Sequence, residues 1–493
     1  MEKQSLILTK SGKMISRFLL ALFAGGAVAK SFEFQNWYLA IVGLSTLIWI
    51  LEKSSRRLRF YLVGTFSTLY FLIHLTWMQV IGVDAWLLIT LVSVLPWLLV
   101  AYLPINTRSL ISIVMFASIV VSAEVIRSHF PLGGFPWGLI AYSQVDGELG
   151  KLAAFGGQSL VTFAAVVVAG LFVRIFSRKF LISTLVLSFV FIGLKQINFS
   201  ANNENFKVVA IQGNVPRLGL ELGAQREAVL NNHLSVTAQY LESTSQAQYP
   251  KLIIWPESST DIDPIANREV ATKIQNLVNR AGVPILVGAT VWGTNPEGPR
   301  NTGILWQPDG AKDFYIKNHL VPFGEYIPMR DLLSDYIDRI ALVPNDFVPG
   351  NELGSFKTGE ITFGDVICFE VAYGDYIRHL VSDGAQFLTI QTNNATYGRT
   401  LQPEQQFQIS RFRAIEHQRA VVIASTSGIS GAILPTGEVL AKTSVFVPAI
   451  VEVEIPLSTQ LSFSDKYPRW ATILCLIFTI VSIGNSRFRR KIA

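Results

Sequence analysis

The residues of this sequence that could do covalent chemistry are few: two cysteines, a carboxylate closing an apolar run, and a lysine in an unusual setting. Cys475 lies mid-way along an apolar stretch and reads as a small hydrophobic residue. Cys368, in Val366-Ile367-Cys368-Phe369-Glu370, has no disulfide partner in the polar part of the chain. A lone thiol there is either a buried core residue or a nucleophile, and its position alone leaves both readings open. Thiols attack as thiolates, so a nucleophile needs a base or a cation beside it. Glu257 ends the run Trp255-Pro256-Glu257-Ser258, and Lys317 lies in Tyr315-Ile316-Lys317-Asn318-His319-Leu320, which lacks the pattern of a surface helix. A carboxylate could take the thiol proton, and an ammonium could stabilise a thiolate and then an oxyanion. Taken singly, either charge reads equally as a solvated side chain or a salt-bridge partner.

The segments that must position these groups alternate in type. Residues 206–214, 251–257, 284–292, 361–370 and 386–394 are largely apolar, β-branched runs, and residues 224–244, 267–281 and 405–418 have helical patterning. Strand and helix in alternation predict a layered α/β domain whose site lies at the carboxyl ends of its strands.

The rest of the 493 residues is of another kind. Only 15% of the chain is charged, against roughly 25% in soluble domains, and the mean hydropathy is +0.39. Apolar runs fill residues 14–30, 37–51, 60–80, 85–103, 109–126, 152–176 and 180–195, and an eighth follows at 470–486. A bilayer-spanning helix needs about 20 apolar residues. Lys3, Lys10 and Lys13; Lys53, Arg56, Arg57 and Arg59; Arg108; Arg174, Arg178 and Lys179; and Arg487, Arg489, Arg490 and Lys491 would all share one side if every run crosses. By the positive-inside rule that side is cytoplasmic, which puts residues 206–456 outside. Expected domains are therefore a membrane domain over 1–200, an extracytoplasmic α/β domain over 206–456, and a last membrane helix with a basic cytoplasmic tail over 468–493. The net charge of +6 belongs to this topology, and no basic, aromatic-interleaved surface argues for nucleic acid.

Glu257, Lys317 and Cys368 occur in the order and settings of the Glu-Lys-Cys triad of the nitrilase superfamily. The whole chain resembles its membrane branch, the apolipoprotein N-acyltransferases. The resemblance rests on Gly134-Phe135-Pro136-Trp137 with Tyr142-Ser143-Gln144, on Gln212-Gly213-Asn214, on Trp255-Pro256-Glu257, on His319-Leu320-Val321-Pro322-Phe323-Gly324-Glu325-Tyr326, and on Arg413-Ala414-Ile415-Glu416. It implies a multi-span helical membrane domain joined to a nitrilase-like αββα sandwich. It also implies Glu257 as general base, Lys317 as stabiliser of the tetrahedral intermediate and Cys368 as acyl carrier. Glu325 matches a further carboxylate, orienting Lys317 or forming a structural salt bridge. Phe369 and Glu370 match the pair after the nucleophile, with the Phe369 N–H facing an oxyanion. Trp137 and Tyr397 match substrate-contacting positions.

Two departures from the family pattern stand out. Asn393-Asn394-Ala395-Thr396-Tyr397-Gly398 replaces the frequent Asn-Asp-Ala-Trp-Phe-Gly, and no aromatic residue lies near Leu220-Glu221. Both fall where lipid would be contacted. The implied reaction moves a fatty acyl group from a phospholipid, through a thioester, to the α-amino group of a lipoprotein's diacylglyceryl-cysteine, in a bacterial inner membrane. No cofactor, metal or nucleic acid is expected, and the enzyme is expected to be a monomer. An α-amino group with a pKa of about 7.7–8.0 is partly neutral near pH 7, so it can attack a thioester directly. The segment Arg127–Lys151 is expected to form a lip beside the lipid, and Glu124 to face protein or Arg127. The alternatives are a membrane-tethered amidase of the same superfamily and, from another class, a transporter with an external binding domain.

Overall fold

Long apolar runs satisfy their backbone polar groups internally, and therefore fold as helices. The computed structural model describes residues 2–33, 35–175, 188, 192–196, 204–215, 227–333 and 343–492. One unit comprises Met1–Asn198 with Lys466–Ala493, the other Phe199–Asp465. The first contains α1 (Glu2–Lys30), α2 (Tyr38–Leu51), α3 (Arg56–His74), α4 (Val83–Trp97), α5 (Leu110–His129), α6 (Ala153–Ile175) and a C-terminal helix, Trp470–Ile492. By length and composition Gly12–Lys30, Val83–Ala101, Leu110–His129 and Glu148–Arg174 could cross a membrane, while Tyr38–Leu51 and Trp470–Gly484 are shorter apolar helices. The run at 60–80 divides into α3 and a 3-10 turn at Thr76–Val80. The run at 180–195 lies mostly outside the described residues.

Small residues and hydroxyls bring these helices together, as expected where burial in lipid gives little drive for association. A Cβ on Gly25 would stand 2.3 Å from the Phe66 carbonyl oxygen. The C-terminal helix is fastened by Ser122–Thr479 at 2.8 Å, Ser159–Thr472 at 2.7 Å, and the Trp470 indole donating to Phe155 O at 2.8 Å. On α5, Glu124 and Arg127 are both buried. Glu124 accepts from Ile140 N and the Thr162 hydroxyl, and Arg127 donates to the carbonyls of Phe135, Trp137 and Gly138. Residues 135–140 are thereby tied to α5, while Phe130 and Leu132 stay exposed.

The second unit holds two six-stranded sheets. One, in the order β12-β1-β2-β3-β4-β5, is built from β1 (Asn205–Gln212), β2 (Leu252–Ile254), β3 (Ile285–Thr294), β4 (Glu297–Gln307), β5 (Gly310–Ile316) and β12 (Ala449–Pro456). The other, β11-β10-β9-β8-β7-β6, uses β6 (Ser355–Thr358), β7 (Ile361–Ile367), β8 (Leu388–Thr392), β9 (Val421–Ser425), β10 (Gly431–Ile433) and β11 (Val439–Lys442). β1-β2-β3 and β7-β8-β9 are parallel cores with antiparallel flanks. Helices α7 (Ala228–Ser243) and α8 (Arg268–Ala281) cover the first sheet, and α9 (Gly374–Ser382) and α10 (Gln402–His417) the second. In α8, Val270, Ile274, Leu277, Val278 and Ala281 form one apolar stripe against Ile253, Trp255, Ile285 and Val287. The Asn267 side chain caps its first turn, and Gly282 ends it at φ +66°. The sheets meet face to face, with Gln391 Nε2 donating to Trp255 O at 2.5 Å and Thr426 Oγ1 to Glu257 O at 3.0 Å. This is the expected helix–sheet–sheet–helix sandwich.

The strand-like run 361–370 needs correcting at its end. The strand stops at Ile367, and Cys368–Ala372 is a 3-10 turn. Its β-like composition hides the break, because Cys368 takes φ +54°, a backbone state that composition does not announce for a non-glycine residue.

Candidate active site

Each reacting group stands just beyond the end of a strand. Glu257 follows β2, Lys317 follows β5, and Cys368 follows β7. Glu257 is held close to β3 because Gly288 has no side chain: a Cβ there would lie 2.2 Å from Pro256 O. Lys317 is fixed through its backbone, its N–H donating to Asn301 O at 2.9 Å and its carbonyl accepting from Gly350 N at 2.9 Å. Gly350 is required by the same logic, since a Cβ would meet Ile316 O at 2.2 Å.

Four side chains then converge, three of them buried and Glu325 partly exposed. Lys317 Nζ lies 2.9 Å from Glu325 Oε1 and 3.3 Å from Glu257 Oε1, with the lysine only 1% exposed. Asn301 Nδ2 donates to the same two oxygens, at 2.6 Å to Glu257 and 2.7 Å to Glu325. The second Glu257 oxygen accepts from Asn393 N at 2.7 Å, and the second Glu325 oxygen from Val321 N at 2.8 Å. Burial works against the lysine's charge, but the Glu325 and Glu257 carboxylates outweigh it and hold its pKa well above the usual range. The magnitudes agree: each contact is worth about 5 kcal/mol at an effective dielectric of 20, against a desolvation cost of several kcal/mol. Lys317 is a fixed cation.

Cys368 shares this electrostatic environment. Burial pushes its thiol up to about 12, Glu257 adds to the rise, and Lys317 and a hydrogen bond from Thr392 pull against it. Near neutral pH the sulfur therefore keeps its proton, beside a carboxylate able to accept it. Asp365, on β7, is also buried, and burial raises its pKa to about 8. It is neutral at pH 7 and adds no further negative charge to the cluster.

The turn bearing Cys368 is braced from both ends. Glu370 accepts from Ile367 N, Tyr315 Oη, Asn318 N and His319 N at 2.7–3.1 Å, joining the nucleophile turn to the segment after Lys317. Arg413, from α10, donates to Val371 O at 2.9 Å and Ala372 O at 2.6 Å, and pairs with Glu416. These bonds hold Cys368 in its left-handed conformation, where strain of about 1–3 kcal/mol must be offset by the surroundings.

The structure thus brings together Glu257, Lys317, Cys368, Glu325, Phe369 and Glu370, of which Glu325 is the closer carboxylate to Lys317. Tyr397 is half-buried, its phenol pKa raised by burial and then by the Cys368 charge, which puts it near the sulfur. Trp137 belongs to the membrane unit, where its buried indole packs 5.6 Å from Trp77 and 6.5 Å from Phe135. Leu220 and Glu221 lie outside the described residues. Sequence reading missed Asn301, whose setting in Pro299-Arg300-Asn301-Thr302-Gly303 resembles a turn, and gave no role to Arg413.

A face-to-face pair of sheets with a thiol, a lysine and a carboxylate at its strand ends is the architecture of a carbon–nitrogen hydrolase, and residues 212–462 match the family model of that description. Residues 24–171 match a second model, described as the apolipoprotein N-acyltransferase N-terminal domain. The apolipoprotein N-acyltransferase of Mycolicibacterium smegmatis is 32% identical, over 94% of this chain and 84% of its own length. Those of Wigglesworthia glossinidia brevipalpis and Pseudomonas syringae pv. tomato are 26% and 28% identical, covering 96% and 93% of this chain and 98% and 95% of theirs. The chain belongs to the apolipoprotein N-acyltransferase family: it is a bacterial membrane enzyme that transfers an acyl group to nitrogen.

Proposed function

We propose that this enzyme takes a fatty acyl group from a membrane phospholipid onto Cys368 and delivers it to the α-amino group of a lipoprotein's N-terminal diacylglyceryl-cysteine. Residues 206–456 act as the catalytic domain on the extracytoplasmic side of a multi-pass membrane anchor. The observation carrying this reading is a buried thiol at the end of β7, in one cluster with Lys317, whose Nζ lies 3.3 Å from Glu257 and 2.9 Å from Glu325.

In the first half-reaction Glu257 takes the Cys368 proton as the sulfur attacks an ester carbonyl. Lys317 and the Phe369 N–H stabilise the oxyanion, and Glu325 orients Lys317. Collapse expels the lysophospholipid alkoxide, which leaves with the proton from Glu257, and a thioester remains. In the second, the neutral amine attacks the thioester and passes a proton to Glu257. The amide departs, and the proton returns to the Cys368 sulfur. Bond for bond, no redox partner is required. Tyr397 is assigned to substrate contact, and the enzyme to a monomer.

Intact mass spectrometry of the enzyme incubated with phospholipid tests this. We expect an added acyl mass that hydroxylamine removes, that Cys368→Ala lacks, and that a diacylglyceryl-cysteine peptide discharges. Discharge by water alone would make the enzyme a hydrolase instead, and a well-folded enzyme that forms no adduct would end the thioester reading.

A further inference from the structure

We infer that Asn301 is a positioning residue for acylation: its amide holds the Glu257 and Glu325 carboxylates together on Lys317, where Glu257 can reach the thiol proton. The inference rests on Glu257 acting as the base.

Two carboxylates sharing one ammonium repel each other, and repulsion of that kind is relieved by protonating one of them. A protonated Glu257 could not take the proton of Cys368. Asn301 counters the repulsion from the side opposite the lysine. Its two amide hydrogens go to different carboxylates, 2.6 Å to Glu257 and 2.7 Å to Glu325, and each bond favours the ionised form. The orientation of the amide is not ambiguous, because turning it over would aim a carbonyl oxygen at two carboxylate oxygens. Register supplies the placement: β4 pairs Asn301 with Thr290 of β3, and its carbonyl receives Lys317 N on the other side.

A second observation separates this role from general packing. Asn301 is 4% exposed, and its Oδ1 has no hydrogen-bond partner among the described residues. Leaving a buried amide oxygen unmatched costs about 1–3 kcal/mol. The amide is thus held through its two donors, with no bond to its oxygen among the described residues.

The test measures the rate of acyl-enzyme formation against pH, by intact mass, using full-length enzyme in detergent with phosphatidylethanolamine as donor. Wild type, Glu257→Gln, Asn301→Ala and Asn301→Asp are compared. We expect Glu257→Gln to lose acylation. Asn301→Ala should move the acid limb of the profile upward by about one pH unit, making acylation roughly tenfold slower below the limb and recovering above it. Asn301→Asp, which puts a third carboxylate where the donors stood, should be slower still. A purely structural role predicts a loss that is uniform in pH, and an unshifted limb in folded Asn301→Ala overturns the inference while leaving Glu257 as base. Normal acylation by Glu257→Gln overturns the base assignment itself, and Asn301's role with it. Should the alanine variant not fold, Asn301→Ser, which keeps one donor, should show a smaller upward shift, and no shift there overturns the inference equally.

Discussion

Each unit of this enzyme buries a small group of charges, and the two groups are built differently. In the membrane unit the buried pair on α5 is met by backbone and hydroxyl groups. Arg127 serves three carbonyls, and Glu124 takes one backbone N–H and one hydroxyl. In the catalytic unit two carboxylates converge on one ammonium and one amide, beside a thiol whose proton one of them could accept. Charges met by backbone groups hold a backbone segment in place. Shared charges gather a carboxylate and a cation beside the thiol, which is what a base-assisted nucleophile requires.

The comparison is broken most severely at Lys317. Lys317→Ala should reduce acyl-enzyme formation by about 10³-fold or more, since the cation for the oxyanion disappears, while the domain still folds. Intact-mass kinetics beside a thermal melt check this, and a folded variant with full activity would remove Lys317 from the chemistry. Next comes Arg127→Gln, which leaves three carbonyls short of a charged donor. It should cost about 3–5 kcal/mol of stability, read as a lower melting temperature in detergent. A variant that melts like wild type yet cannot acylate would show that the membrane cluster is chemical after all.

The smallest effect concerns the resting state of the thiol. With its pKa raised, Cys368 is protonated throughout the neutral range, so thiolate becomes more abundant with every step up in pH until about 12. In a Cys475→Ser background, its alkylation by iodoacetamide should climb about tenfold per pH unit with no plateau between roughly pH 7 and 10. A plateau near neutrality would mean a preformed thiolate, and Glu257 would then not be needed as base in the first step.

Much of the site could be read from residue types. Glu257 and Cys368 each close a β-branched run, so their strand-end placement follows from pattern. The helices over 267–281 and 405–418 were visible from periodicity and lie at Arg268–Ala281 and Gln402–His417. The antiparallel strands β4 and β5 were not. On the face of β4 that meets Glu257, Asp365 and Gln391 stand Asn301 and Gly303 in place of apolar residues, because that face lines a polar site. For that reason no local pattern marked Asn301. Arg413 was legible as a motif but not as a brace, since its partners Val371 O and Ala372 O are backbone atoms of a turn about forty residues away in the chain.

Sequence alone determined what was on hand: apolar runs long enough for a membrane, an alternating α/β segment, one usable thiol, and a carboxylate and a lysine in settings too specific for a solvated surface. These are properties of local composition and period, and a chain carries them before it folds. Tertiary structure decided which charges meet. Lys317 is a cation because one carboxylate from its own loop and one from sixty residues away reach it in a buried site, and Cys368 keeps its proton because the same burial disfavours a thiolate. Proton affinity depends on what surrounds a group across space. Here those surroundings come from β2, β4, β5, β7 and β8, strands that only the pairing of two sheets brings to one place.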